Sequence, residues 1–121
     1  MYIEIKNAVK TFSQSGKEFT ALDNVSLSIE KGEFVCLLGP SGCGKSTLLN
    51  AIAGFDTVSN GSITIDGKEV KEPSTKNVTI FQNYGLFPWR TVEKNVELGL
   101  ESKKVPKNER KEIAKKYIKM V

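Results

Sequence analysis

GPSGCGKST, residues 39–47, is the stretch that decides how this chain is read. Gly39, Gly44, Lys45 and Ser46 satisfy the spacing G-x-x-x-x-G-K-[ST] of a phosphate-gripping loop. The motif needs a buried strand before it and a helix after it, and the flanks predict both. Phe34-Val35-Cys36-Leu37-Leu38 runs apolar without alternation, as a strand buried on both faces does. From Gly44, Leu48, Leu49, Ile52 and Ala53 recur at helical spacing, and Gly54 stands where a helix C-terminus needs a left-handed residue. Gly39, Gly42 and Gly44 let the backbone curl until successive N–H groups converge on anionic oxygens. The new helix adds the positive end of its dipole. Lys45 can reach the β- and γ-phosphates as a point charge, Ser46 offers a hydroxyl to Mg²⁺, and Thr47 is placed for the α-phosphate. The loop specifies phosphate and leaves the base open.

Working outward, VSLSIE alternates Val25, Leu27 and Ile29 with polar residues, the period of a half-buried strand, and Lys31-Gly32 supplies a turn. SITIDGKEV carries Asp66-Gly67 between two β-rich runs, a hairpin signal. Asn77 to Phe81 form a further short apolar strand ending at Gln82, and NYGLFPWR reads as a loop punctuated by Gly85 and Pro88. Thr91 is the expected N-cap of a short helix through Leu98. Pro106 opens a last helix with Ile113, Ala114, Tyr117 and Val121 on one face. The sum is mixed α/β, with antiparallel β-structure at the front and helices at the back.

At 121 residues, 39% hydrophobic and 26% charged, the chain has the composition of one soluble globular domain. No apolar run approaches the roughly 20 residues that span a bilayer. MYIEIKNAVK lacks the apolar core of a signal peptide, so a cytosolic location is expected. Cys36 and Cys43 form no C-x-x-C pair, and buried or loop thiols are expected rather than a disulfide framework. The net charge of +4 is local: residues 101–121 hold eight Lys or Arg against three Glu, while the residues before them hold ten against eleven acids. That excess reads as the solvated face of a surface helix, and no nucleic-acid partner is expected.

Two further observations narrow the nucleotide. The chain has neither N-K-x-D for guanine nor the D-x-x-G of a GTPase switch. Phe12, in KTFSQSG, offers an aromatic face on which adenine could stack.

Residues 9–55, VKTFSQSGKEFTALDNVSLSIEKGEFVCLLGPSGCGKSTLLNAIAGF, and 77–96, NVTIFQNYGLFPWRTVEKNV, together resemble the nucleotide-binding subunits of ABC transporters. The likeness runs from residue 2 to about residue 100 and rests on several motifs in family order. It implies an α/β fold of the P-loop NTPase class, ABC ATPase type, in which a RecA-like core carries an antiparallel β subdomain. It implies that the fold is incomplete here and covers roughly the first half of the subunit. Residues 1–85 would belong to the core, and residues 86–121 to the Q-loop and the start of the helical subdomain. Phe12 takes the place of the A-loop aromatic, where most members have Tyr. Gly39, Pro40, Ser41, Gly42, Cys43, Gly44, Lys45, Ser46 and Thr47 form the Walker A loop. Gln82 matches the Q-loop glutamine, which in the family touches Mg²⁺ and the attacking water. Lys45 and Gln82 are thus the expected catalytic residues, Ser46 and Gln82 the expected metal ligands, and ATP and Mg²⁺ the expected cofactors. NYGLFPWR, with Trp89, would face a transmembrane permease subunit, and a second nucleotide-binding subunit would complete a dimer peripherally attached to the inner face of the membrane. FPWRTVEKNVELGL is similar to importer subunits for nitrate, sulfonate and taurine.

Hydrolysis in that family also uses an aspartate after an apolar strand, an adjoining glutamate, a γ-phosphate-sensing histidine and a partner's L-S-G-G-Q signature. This chain has no histidine and no S-G-G. Asp66 fails as the aspartate, because Thr64 breaks the apolar run and Gly67 follows it. Binding of ATP with little hydrolysis by this chain alone is therefore expected. A non-catalytic fragment docking on a membrane subunit is one alternative. An ABC-type ATPase of DNA maintenance is another, against which no heptad arm occurs by Val121.

Overall fold

In the computed structural model every residue but Tyr84 is described, so that one position of the NYGLFPWR loop lies outside the described residues. The chain divides into two units, Met1–Thr79 and Ile80–Val121. The first is built on a long antiparallel pair, β1 (Ile3–Gln14) and β2 (Lys17–Ile29). Ser15 and Gly16 connect them with φ of 52° and 76°, the double left-handed turn that matches strand twist. β3 (Asn60–Ile65) pairs with the other edge of β1, and β4 (Lys68–Glu69) follows across the Asp66-Gly67 turn predicted from sequence, giving the order β2-β1-β3-β4. Those two turn residues have φ of 51° and 72°.

One face of this sheet is covered by α1 (Lys45–Ala53). Ile5 and Ala8 of β1, Leu22 of β2 and Ile63 of β3 are buried together with Leu48 and Ala51 of the helix. Gly54 closes α1 at φ 81°, and its N–H bonds back to the Ala51 carbonyl at 3.2 Å.

Two predicted strands do not form. Phe34–Leu38 and residues 77–81 carry no strand pairing, and Phe34, Leu38, Val78 and Ile80 are 90%, 93%, 86% and 92% exposed. An apolar strand is held by ladder bonds to neighbours on both sides, and no described strand lies beside either segment. Only Leu37 reaches the edge of the core. Cys36, expected in a buried strand, is exposed for the same reason, and Cys43 is an exposed free thiol of the loop.

The second unit is a helix pair, α2 (Val92–Ser102) and α3 (Lys107–Met120). The Thr91 hydroxyl caps α2 by accepting from the Lys94 N–H at 3.3 Å, as its position predicted. The helix runs one turn past Leu98, to Ser102. Asn95 shapes the loop before it: its Oδ1 accepts from the Phe87 N–H at 2.9 Å, and its Nδ2 donates to the carbonyls of Phe87, Arg90 and Thr91. Trp89 lies 77% exposed, its ring 5.2 Å from that of Phe87. Of the residues expected on one face of α3, Ala114 is buried and Ile113 half-buried, while Tyr117 and Val121 are exposed.

Candidate phosphate-binding site

The site begins with a β-bulge. In the β1–β2 ladder Lys10 pairs with Leu22 and Thr11 with Thr20, which leaves Ala21 as an extra residue. Gly44, the residue before α1, sits against that bulge. It has φ 96°, and a Cβ there would lie 2.4 Å from the Ala21 carbonyl oxygen. Only glycine fits, so the start of α1 is pinned to the sheet at this point.

Gly42, at φ 79°, gives the loop its second left-handed step. Gly39 closes it: a Cβ at that residue would be 2.7 Å from Cys43 Sγ. The Lys45 side chain curls back over this turn, and its Nζ donates to the carbonyls of Gly39 at 2.7 Å and Pro40 at 2.6 Å and approaches Cys43 Sγ at 3.3 Å. The ammonium is thus held in the mouth of the loop. Among the described residues, no backbone amide from Ser41 to Thr47 pairs with a protein acceptor. The first N–H of the helical ladder to find one is that of Leu48, bonded to the Gly44 carbonyl at 2.9 Å.

Seven consecutive free amides at the start of a nine-residue helix, closed by an ammonium, match a polyphosphate in charge and in donor count. Ser46, exposed in the first turn, has a free hydroxyl on the same loop. Mg²⁺ commonly takes one or two protein ligands with phosphate oxygens and water, so a single hydroxyl suits a metal carried by the nucleotide. The residues present therefore fit both groups.

Phe12 lies on β1 two residues beyond Lys10, and alternation sets Ala8, Lys10 and Phe12 on one face, the face that meets α1. Phe12 is 42% exposed and pairs in register with Phe19 of β2. Sequence reading passed over Lys10 and Asp56. Lys10 Nζ donates to Asp56 Oδ1 and to the Thr57 carbonyl, both at 2.6 Å, and lies 5.0 Å from the centre of the Phe12 ring. The Lys10 hydrogen bond holds the Asp56 carboxyl below its ordinary value of 3.8, against a smaller opposing effect of burial. No sequence motif marks this contact, because its partners are 46 positions apart. Gln82 belongs to the second unit, where it is exposed.

The sequence matches the ABC transporter family over residues 22–121. The chain belongs to that family. It is 53% identical over 119 residues to an uncharacterised ABC transporter ATP-binding protein of Methanocaldococcus jannaschii, covering 98% of this chain and 45% of that protein. It is 44% identical to a nitrate import ATP-binding protein of Synechocystis, covering 100% of this chain and 46% of that one. Among solved structures, the dimeric structure of a bacterial ABC transporter cassette superposes with a TM-score of 0.84 at 36% identity, over 98% of this chain and 56% of the other. A cassette in a post-hydrolysis state bound to ADP and Pi gives 0.81 at 34% identity, again over 98% and 56%. The chain thus spans about half the length of the relatives it matches. As in those ABC ATPase cassettes, an antiparallel sheet is combined with helices.

Proposed function

We propose that this chain is the nucleotide-gripping part of an ABC transporter subunit, which binds MgATP and couples its hydrolysis to import of a small anion. The observation that carries the reading is the run of unpaired amides from Ser41 to Thr47, closed by the Lys45 ammonium.

Each residue has a task that follows from its place. The loop amides and the dipole of α1 hold the phosphate oxygens. Lys45 exchanges its bonds to the Gly39 and Pro40 carbonyls for bonds to β- and γ-phosphate oxygens, and it brings a charge that two neutral carbonyls only partly satisfy. Ser46 would offer its hydroxyl oxygen to the metal; Gln82 is proposed, from the family resemblance alone, as a metal ligand that orients water. When bound there, Mg²⁺ would supply positive charge against the charge that develops on the phosphate. Phe12 stacks on the adenine. Catalysis of phosphoryl transfer is mainly positioning and charge stabilisation. The residues in hand supply the grip, and the residues that polarise water are not among them, so this chain by itself binds ATP and turns over little.

The anion assignment draws on the relatives, which include nitrate import and bicarbonate transport proteins. A transmembrane permease subunit and a second ATP-binding subunit are the proposed partners, with the protein on the cytoplasmic side of the membrane. A bond to a charged group contributes about 1.5–3 kcal/mol, so Lys45→Ala is expected to weaken ATP binding roughly 10- to 100-fold. Titration of labelled ATP into both proteins measures it, and equal affinity overturns the reading.

A further inference from the structure

We propose that Lys10 is a positioning residue for the base: it fixes the Phe12 ring from one face and leaves the other face to adenine. The inference rests on the stacking role given to Phe12 above. A phenylalanine has no hydroxyl by which to anchor its ring, and this one stands on an exposed stretch of β1. Lys10 supplies the missing anchor. Its ammonium lies over the ring at 5.0 Å from the centre, within the range of a cation–π contact.

The ammonium is itself fixed. Its side chain is only 13% exposed, and two short bonds tie it to Asp56 Oδ1 and the Thr57 carbonyl. Asp56 also accepts from the Thr57 N–H at 2.8 Å, which sets the orientation of the carboxylate. Asp56 and Thr57 follow the C-terminal end of α1, the helix whose other end carries the phosphate loop. One lysine therefore ties the Phe12 ring to the turn that follows α1. Two consequences follow for the ring. Its rotamer is set before the base arrives, so less freedom is lost on binding. A cation on one face also draws the π-electrons toward itself, which leaves the opposite face electron-poor and suited to stacking an electron-rich purine.

The test compares ATP with inorganic tripolyphosphate, which has the phosphates and no base. Affinities for both, with Mg²⁺ present, are measured on the full-length natural protein and on Lys10→Met, Lys10→Arg, Phe12→Ala and the Lys10→Met/Phe12→Ala pair. Lys10→Met is expected to weaken ATP about two- to fivefold, the size of a modest cation–π contact, and to leave tripolyphosphate unchanged. Lys10→Arg restores ATP affinity, and Lys10→Met causes no further loss once Phe12 is gone. An equal loss for ATP and tripolyphosphate would overturn the proposal, since Lys10 would then act by holding the phosphate helix. Unchanged ATP affinity in Lys10→Met, with a loss in Phe12→Ala, would remove the role of Lys10 and leave base stacking intact. Full affinity in Phe12→Ala would remove both. Should Lys10→Met not fold, Asp56→Asn loosens the same ammonium and is read for the same base-dependent loss.

Discussion

Gly44 shows how much one residue decides at this site. Its left-handed backbone and its contact with the Ala21 carbonyl set where α1 starts, and hence where the free amides point. Gly44→Ala is expected to lose about 2–4 kcal/mol, from a left-handed alanine and a Cβ driven into backbone. Thermal unfolding of the two proteins measures it, and an unchanged Tm would show that the bulge can yield. The Lys10–Asp56 pair makes a second prediction at this scale. The Asp56 carboxyl is held below its ordinary value of 3.8 by the Lys10 hydrogen bond. A group lowered in the folded state binds fewer protons than in the unfolded one, so it contributes stability above its unfolded value. That contribution is lost as the pH falls from 3.8 through the lower folded value. The stability gap between the natural protein and Asp56→Asn should therefore be flat near neutral pH and close in acid. Urea titrations at a series of pH values read it, and a gap that widens in acid would contradict the assignment.

Among the elements, the helix pair of the second unit has an unusual centre. Glu97 is buried at 6% exposure, and its carboxylate faces Arg110 Nε at 3.4 Å, a nitrogen that makes no hydrogen bond. A buried pair with incomplete hydrogen bonding recovers little of its desolvation cost, yet removing one partner strands the other. Glu97→Ala is expected to destabilise the protein by about 3 kcal/mol, and the double change to Leu at 97 and 110 to restore most of that loss. Denaturant midpoints of the three proteins decide it, and a double variant no better than the single one would contradict it. Elements set by local chemistry were legible in the sequence. The Asp66-Gly67 turn, the Thr91 cap, the Gly54 stop and the loop-to-helix unit at Gly39 each depend on residues within a turn of one another. Asn95 was not legible as the residue that shapes the loop before α2, because an asparagine in a helix gives no sign of carbonyls up to eight positions away.

At the scale of the whole molecule the apolar segments at 34–38 and 78–81 dominate. Burying a large apolar side chain is worth roughly 1.5–3 kcal/mol, so exposed Phe34, Leu38, Val78 and Ile80 are a strong drive toward any surface that covers them. The 121-residue chain by itself is expected to self-associate and to bind a dye that fluoresces on apolar surfaces. Phe34→Lys with Leu38→Lys should reduce both. Sedimentation and dye titration measure this, and a monomer that binds no dye would run against it.

The sequence alone determined the phosphate loop, its helix, the Asp66-Gly67 turn and the family, because each is written in residue types at short, fixed spacings. It also marked Phe34–Leu38 as a segment that needs burial. Tertiary structure alone decided whether that segment became a strand, since a ladder requires neighbours the local pattern cannot supply. It alone brought Lys10 to Asp56 and Phe12, and it alone turned the Ala21 carbonyl toward Gly44. Those contacts join positions far apart in the chain, and folding sets their distances while local propensity does not.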